Sequence, residues 1–316
     1  MHAEPTQNPY QSPVHVASPL AQQLAEMGVQ FDPRIHYRLD WMFPKREGWG
    51  IAGHIKKKAK QIRRIEGRLV RLLRPGEEVL YISHGVQNKF VEQMFMGWMS
   101  MLINQTVFVL TNLRLVLLHT DTFSNPKYTY WTIYYSQIEQ FKPSWTGQVQ
   151  IKLKDGTALK FTGFPKLDRK AMPQVFEQAL AGYRGANFNP QVTQSRENVC
   201  SHCCQVVPKD VYRCPQCGAE FWAPRDVALR SLVFPSWGDF LMRHTVPATM
   251  ELVGYLFSWG FLALFVLVAL AGGRPEEALG FGAVLLFVIG MQHCIDATLT
   301  YFIAKKGLHP KVRPVE

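Results

Sequence analysis

Acidic side chains are scarce in this chain: 24 Asp and Glu stand against 35 Lys and Arg over 316 residues, for a formal net charge of +11 at pH 7. Cysteine is scarcer, six in all, and four of the six form two CxxC pairs. A secreted disulfide scaffold is a short chain with cysteines spread throughout, so that class is excluded, and a metal site in a reducing compartment fits better. No GxGxxG, GxxxxGK[ST], HExxH or GxSxG is present, and no carboxylate pair stands out as an acid and base. Binding is therefore expected, not enzymatic catalysis, and no small-molecule substrate is evident. The opening MHAEPTQNPYQSPVHV has neither a charged n-region nor an apolar h-region, so no cleavable signal is expected. The chain from there to the first membrane segment should remain in the cytoplasm.

What is present is unevenly distributed. Residues 1–48 hold six prolines and only a brief helical pattern near Leu20, which reads as an extended, mobile arm. Over residues 49–74 the apolar positions Ile51, Ile55, Ala59, Ile62, Ile65, Leu69 and Leu72 recur every three or four residues. Lys56, Lys57, Lys58, Lys60, Arg63, Arg64, Arg68 and Arg71 fill the other positions, giving a basic amphipathic helix that ends before Arg74-Pro75-Gly76. The period then changes to that of strands through residues 75–184. Val149 to Leu153 alternate, Asp155-Gly156 supplies a two-residue turn, and Leu159 and Phe161 resume, so a hairpin is expected with Val149, Ile151, Leu153, Leu159 and Phe161 buried. Next comes a helix with Leu167, Ala171, Val175, Phe176, Ala179 and Tyr183 on one face, its start left open because Pro173 suits a first turn. Strands closed by one helix describe a small β-barrel with a C-terminal capping helix.

Three stretches carry a resemblance: Leu73-Arg74-Pro75-Gly76-Glu77-Glu78-Val79-Leu80, then Val109-Leu110-Thr111-Asn112-Leu113-Arg114-Leu115, then Tyr135-Ser136-Gln137-Ile138-Glu139-Gln140. Their order resembles the bacterial pleckstrin-homology-like (PH-like, GRAM-related) domain. The resemblance implies a seven-stranded, partly open barrel with a capping helix, and fold alone does not set function. Phosphoinositide sites of eukaryotic members use several basic residues near the first inter-strand loop, where this chain has only Lys89, so that ligand is not expected.

A polar linker over 185–197 leads to residues 198–224, where Cys200-Ser201-His202-Cys203 and Cys214-Pro215-Gln216-Cys217-Gly218 are ten residues apart. Each CxxC turn aims two thiolates at one ion, and four complete a closed tetrahedral shell, so structural Zn2+ on Cys200, Cys203, Cys214 and Cys217 is expected, in a segment resembling a zinc ribbon. His202 and Cys204 are alternative ligands, and a redox CxxC pair is the competing chemistry.

Residues 252–271 contain no charge, a length that matches a bilayer core. Gly272-Gly273-Arg274-Pro275 ends that run, and a second apolar run ends near Ala304, so a two-span α-helical transmembrane hairpin is expected over 245–305, with a tail over 306–316. Gly254, Ser258, Gly280, Ala283 and Gly290 would let the spans approach. Residues 225–244 read as an interfacial elbow. Basic residues cluster outside the hairpin, which places both termini in the cytoplasm of a bacterial inner membrane. His293 and Asp296 lie near the end of the second span, in either a packing or a functional role. The expected whole is a multidomain, membrane-anchored adaptor. Its basic helix lies on anionic lipid, and the PH-like domain recognises a protein or lipid partner. The competing readings are a component of a membrane-embedded enzyme or transporter, and a tethered nucleic-acid-binding ribbon. The methionine-rich stretch at residues 94–103 reads either as core or as an adaptable docking or membrane-dipping surface.

Overall fold

The computed structural model describes residues 19–314 apart from Arg46, Glu47, Trp49, Lys89 and Asn187. The chain forms two compact units, Met1–Val211 and Tyr212–Glu316.

In the first unit the elements succeed one another as α1 (Pro19–Glu26), β1 (His36–Tyr37), α2 (Leu39–Met42), α3 (Ile51–Leu72), β2 (Glu78–Gln87), α4 (Phe90–Met96), α5 (Met99–Ile103), β3 (Gln105–Thr111), β4 (Arg114–Thr120), β5 (Pro126–Tyr134), β6 (Ile138–Pro143), β7 (Val149–Leu153), β8 (Ala158–Thr162), α6 (Lys166–Gly185), β9 (Glu197–Val199) and β10 (Val206–Val207). The sheet runs β10-β9-β5-β4-β3-β2-β8-β7-β6, with β1 parallel to β2. Among the described residues no pairing joins β6 to the opposite edge, so the sheet is open and does not close into the small β-barrel expected from the sequence.

Alternation along the strands gives two separate cores. Val107, Val109, Val116 and Leu118 face a layer built by α3, where Ile51, Ile55, Ile62, Ile65, Leu69 and Leu72 are buried. Phe108, Leu110, Leu115 and Leu117 face the other layer, with Ile151, Leu159 and Phe161 of the hairpin and Met172, Val175, Phe176 and Tyr183 of α6. Burial on both faces is why β3 and β4 read as nearly continuous apolar runs. The hairpin forms with Ile151 opposite Leu159, but its turn is one residue longer than expected: Leu153 N donates to Thr157 O at 2.9 Å, so Lys154, Asp155 and Gly156 make the loop, and of the three only Gly156 takes a positive φ, +82°. Pro173 lies inside α6, not at its start.

The N-terminal segment differs from the mobile arm read from its prolines. Leu20, Leu24, Val29, Ile35, Tyr37, Met42 and Phe43 are buried in the α3 core, and Arg38 N donates to Val79 O at 2.8 Å. Its apolar residues are too irregularly spaced to show a period, yet these seven are buried in the core that α3 shares with the sheet. Residues 1–18 lie outside the described residues. The linker and ribbon boundary also shifts. β9 pairs with β5, so the chain is already part of the sheet by Glu197, and the division between the units falls at Val211, between the two CxxC pairs.

The second unit comprises α7 (Pro224–Val233), α8 (Trp237–Leu241), α9 (Thr245–Ala271) and α10 (Pro275–Ala304). Helices α9 and α10 are each long and apolar enough to cross a membrane, and only 6% of the most apolar window of each is buried. Gly254, Gly280 and Gly290 have open space where a Cβ would stand, so they do not mark close contact between the two helices. The tight approach is at Gly238 of α8, whose added Cβ would lie 2.8 Å from Val227 O. Residues 306–314 are not a free tail: Trp222 N donates to His309 O at 2.8 Å, and Leu308 and His309 are buried.

Candidate functional site

Two local turns build the cysteine cluster. In the first, Cys204 N donates to Cys200 O at 2.9 Å and His202 N lies 3.4 Å from Cys200 Sγ. In the second, Gly218 N donates to Cys214 O at 2.9 Å, and Gly218 takes the positive φ of +72° that glycine allows. One ligand atom from each of Cys200, Cys203, Cys214 and Cys217 lies within 4.8 Å of the others. Cys200 and Cys214 are buried, while Cys217 is exposed. Four thiols so close together are a donor set compatible with a metal ion. Neither alternative ligand joins them. His202 contributes its carbonyl to the Arg71 guanidinium, and Cys204 packs on the α3 core, where burial pushes its thiol pKa up.

Among the eight cations of the basic helix, Lys56, Lys57, Lys60, Arg63 and Arg71 are exposed. A groove of about 610 Å³ is lined by Met27, Val29, Lys56, Lys60, Arg63 and Arg64. Arg64 donates to Phe123 O, Arg68 stands 5.1 Å from the Tyr128 ring centroid, and Arg71 donates to His202 O, so these three also tie the helix to its own unit. Lys58 is the exception. Its side chain is 3% exposed, with the ammonium 3.2 Å from Asp168 Oδ1 and 3.7 Å from the centroid of the Tyr81 ring. Asp168 is held in turn by Tyr81 OH at 2.7 Å and Ser83 Oγ at 2.6 Å. Burial lowers the Lys58 pKa, with Asp168 opposing the shift. Lys58 is therefore not a surface-facing residue, which corrects its place in the expected lipid-facing set. The signal was present: position 58 completes the three-four spacing Ile55, Lys58, Ile62, Ile65 on the apolar stripe.

In the second unit, His293 Nδ1 lies 2.7 Å from Leu232 O, and Asp296 accepts from Ser236 N at 2.7 Å. Both residues tie α10 to the α7–α8 segment. Asp239 and Glu251, which sequence reasoning passed over, lie with Asp296 so that one carboxylate oxygen of each is within 4.8 Å of the others. Nothing in their sequence spacing brings them together. Ser236, at φ +65°, turns the chain that positions Asp239.

Residues 73–162 match the family model described as the bacterial PH domain. The resembling motifs meet in space: Glu78 N donates to Asn112 Oδ1 at 3.0 Å, Thr111 Oγ1 to Glu77 Oε1 at 2.7 Å, and Tyr135 OH to Thr111 O at 2.6 Å. No curated protein matches the chain. Among solved structures, it is similar to the C-terminal domain of an unknown protein from Leishmania infantum, at 13% identity and a TM-score of 0.26, covering 38% of this chain and 93% of that one. A likeness of that score carries no argument. The chain thus combines a bacterial PH-like domain, a close four-cysteine cluster and two apolar C-terminal helices.

Proposed function

We propose that the protein is a membrane-anchored adaptor of the bacterial inner membrane, with α9 and α10 as a two-span hairpin and both termini in the cytoplasm. The observation that carries this reading is the exposure of the long apolar helices. Phe257, Leu267 and Val253 on α9, with Leu279, Leu286 and Phe287 on α10, are at least 60% exposed. A soluble protein would bury such helices, whereas a bilayer solvates them. The four cysteines hold structural zinc, whose closed shell supplies folding energy and no open catalytic position. The exposed cations of α3 face anionic lipid, each worth about 1 kcal/mol near the surface. The act is binding, with the PH-like sheet and the ribbon as surfaces for a protein partner; nucleic acid and catalysis are not needed to account for any of these features.

Alkaline carbonate extraction of native membranes tests the anchor, and reporter fusions at both ends test the topology. Retention in the pellet with cytoplasmic signals at both ends is expected. Release into the supernatant, or a periplasmic signal at either end, overturns the two-span reading.

A further inference from the structure

The connection between β2 and β3 is a small two-helix finger whose apolar residues point both ways. Inward, Met96, Ser100 and Ile103 are buried, Asn104 Nδ2 donates to the buried Glu92 at 2.8 Å, and Ser100 Oγ donates to Gly97 O at 2.8 Å. Gly97, at φ +53°, makes the corner between α4 and α5. Outward, Met94 is 61% exposed, Phe95 52%, Trp98 58% and Met101 44%. A solvated surface helix carries polar side chains on its outer face. Here the outer row is two methionines and two aromatics carried on two short helices.

The surroundings say what covers this row. Gln105 Nε2 donates to Met101 O at 2.9 Å, and its Oε1 lies 3.1 Å from His84 Nε2. Ser83, the neighbour of His84, donates to Asp168 at 2.6 Å, and Lys58 of α3 donates to the same carboxylate at 3.2 Å, which sets the exposed Lys56 and Lys57 at the same end of the unit as the finger. An uncharged apolar tip beside lysines is complementary to a leaflet whose interior is apolar and whose surface is anionic. Tryptophan with its amphipathic ring suits the headgroup level. The chain that carries the tip also carries the two apolar helices, so the leaflet is present at high effective concentration.

We infer that Met94, Phe95, Trp98 and Met101 form a bilayer-inserting tip that, with Lys56 and Lys57, docks the PH-like unit on an anionic leaflet. This rests on the reading of α9 and α10 as spans. The contact is separate from the hairpin: it holds the recognition sheet against the membrane surface, whereas the hairpin holds only the chain.

The test uses the full chain reconstituted in vesicles containing anionic lipid with brominated acyl chains. The emission of Trp98 is obtained as the difference between wild type and Trp98→Phe, and that of Trp259 in α9 as the difference from Trp259→Phe. Brominated lipid is expected to quench most of the Trp98 emission, acrylamide little of it, and Phe95→Asp should remove the lipid quenching of Trp98 while leaving that of Trp259. Quenching of Trp98 by acrylamide but not by lipid, with Trp259 still quenched by lipid, overturns the tip and leaves the spans standing. Shielding of Trp98 from both quenchers also overturns it, in favour of a protein contact. Loss of lipid quenching at Trp259 as well overturns the spanning reading and this inference with it.

Discussion

Arg114 reaches Glu77 with two hydrogen bonds, Nε to Oε1 at 3.0 Å and Nη2 to Oε2 at 2.9 Å, across 37 residues of sequence. The same guanidinium donates to Leu72 O at 2.7 Å, the last residue of α3. Glu77 is 2% exposed and Arg114 6%, so the pair sits out of water at the point where α3, the turn into β2 and the β3–β4 turn meet. It is the physical content of the motifs that resemble the PH-like family.

Removing one member of a buried pair leaves the other charged and unsatisfied, at a cost of about 3–5 kcal/mol. Glu77→Gln is therefore expected to lower the thermal midpoint of the detergent-solubilised full chain strongly. Arg114→Lys should do nearly as much, because an ammonium cannot reproduce the fork. An unchanged midpoint for Arg114→Lys would contradict the bidentate geometry.

Lys58 and Asp168 are expected to behave as a coupled unit. Asp168→Ala strands Lys58 on the apolar stripe and leaves Tyr81 and Ser83 without their acceptor, and should destabilise by several kcal/mol, on the order of 3. The pair Lys58→Met with Asp168→Ala should cost less than the sum of the single changes. Additivity in that cycle, read by chemical unfolding, would show that the two do not interact.

Acid sensitivity is expected at His84 and His54. Burial, first among the causes at each, holds both below the ordinary 6.5. The unfolded chain then takes up a proton first as pH falls through 6.5, so stability is level above 6.5 and declines below it. For His84, the more deeply buried of the two, the slope is at most about 1.4 kcal/mol per pH unit. His84→Gln should flatten the loss on acidification while changing little above neutrality, and an identical pH profile for the variant would refute this assignment.

Metal analysis of the purified full chain should give one zinc per chain, and Cys214→Ser should lose most of it. Cys204→Ser should keep it, because that thiol packs on the α3 core outside the cluster. Full zinc in Cys214→Ser would remove the ligand set proposed for it.

Legibility in the sequence tracks how far each element depends on its neighbours. The stripe of α3, the Asp155-Gly156 hairpin and the two apolar runs are set by local period, and all three form where their residues place them. The cysteine cluster was legible from spacing alone. Lys58 was hidden by its type, since lysine is read as solvated whatever its phase on the helix. The packing of Leu20 to Phe43 depends on an α3–sheet layer that the segment itself does not encode, and the open sheet depends on pairing among strands far apart in sequence. The approach of Glu251 to Asp296 depends on the reversal at residues 234–244, whose turn residues gave no period at all.

Helices α9 and α10 have 27 and 30 residues, roughly 40 and 45 Å at about 1.5 Å per residue, against a hydrocarbon layer of about 30 Å. The surplus is not spread evenly. Glu251 opens the apolar run of α9 and Asp296 lies opposite it, while Arg274 and Glu277 close the far end with a 3.0 Å ion pair. In the proposed two-span arrangement, polar groups at both ends work like stops on a piston: the hairpin cannot sink by a turn in either direction without drawing carboxyl groups or a guanidinium into oil. Under that arrangement a thicker or thinner membrane is met by a change of tilt at fixed depth, which would swing whatever is attached to the start of α9 sideways along the leaflet.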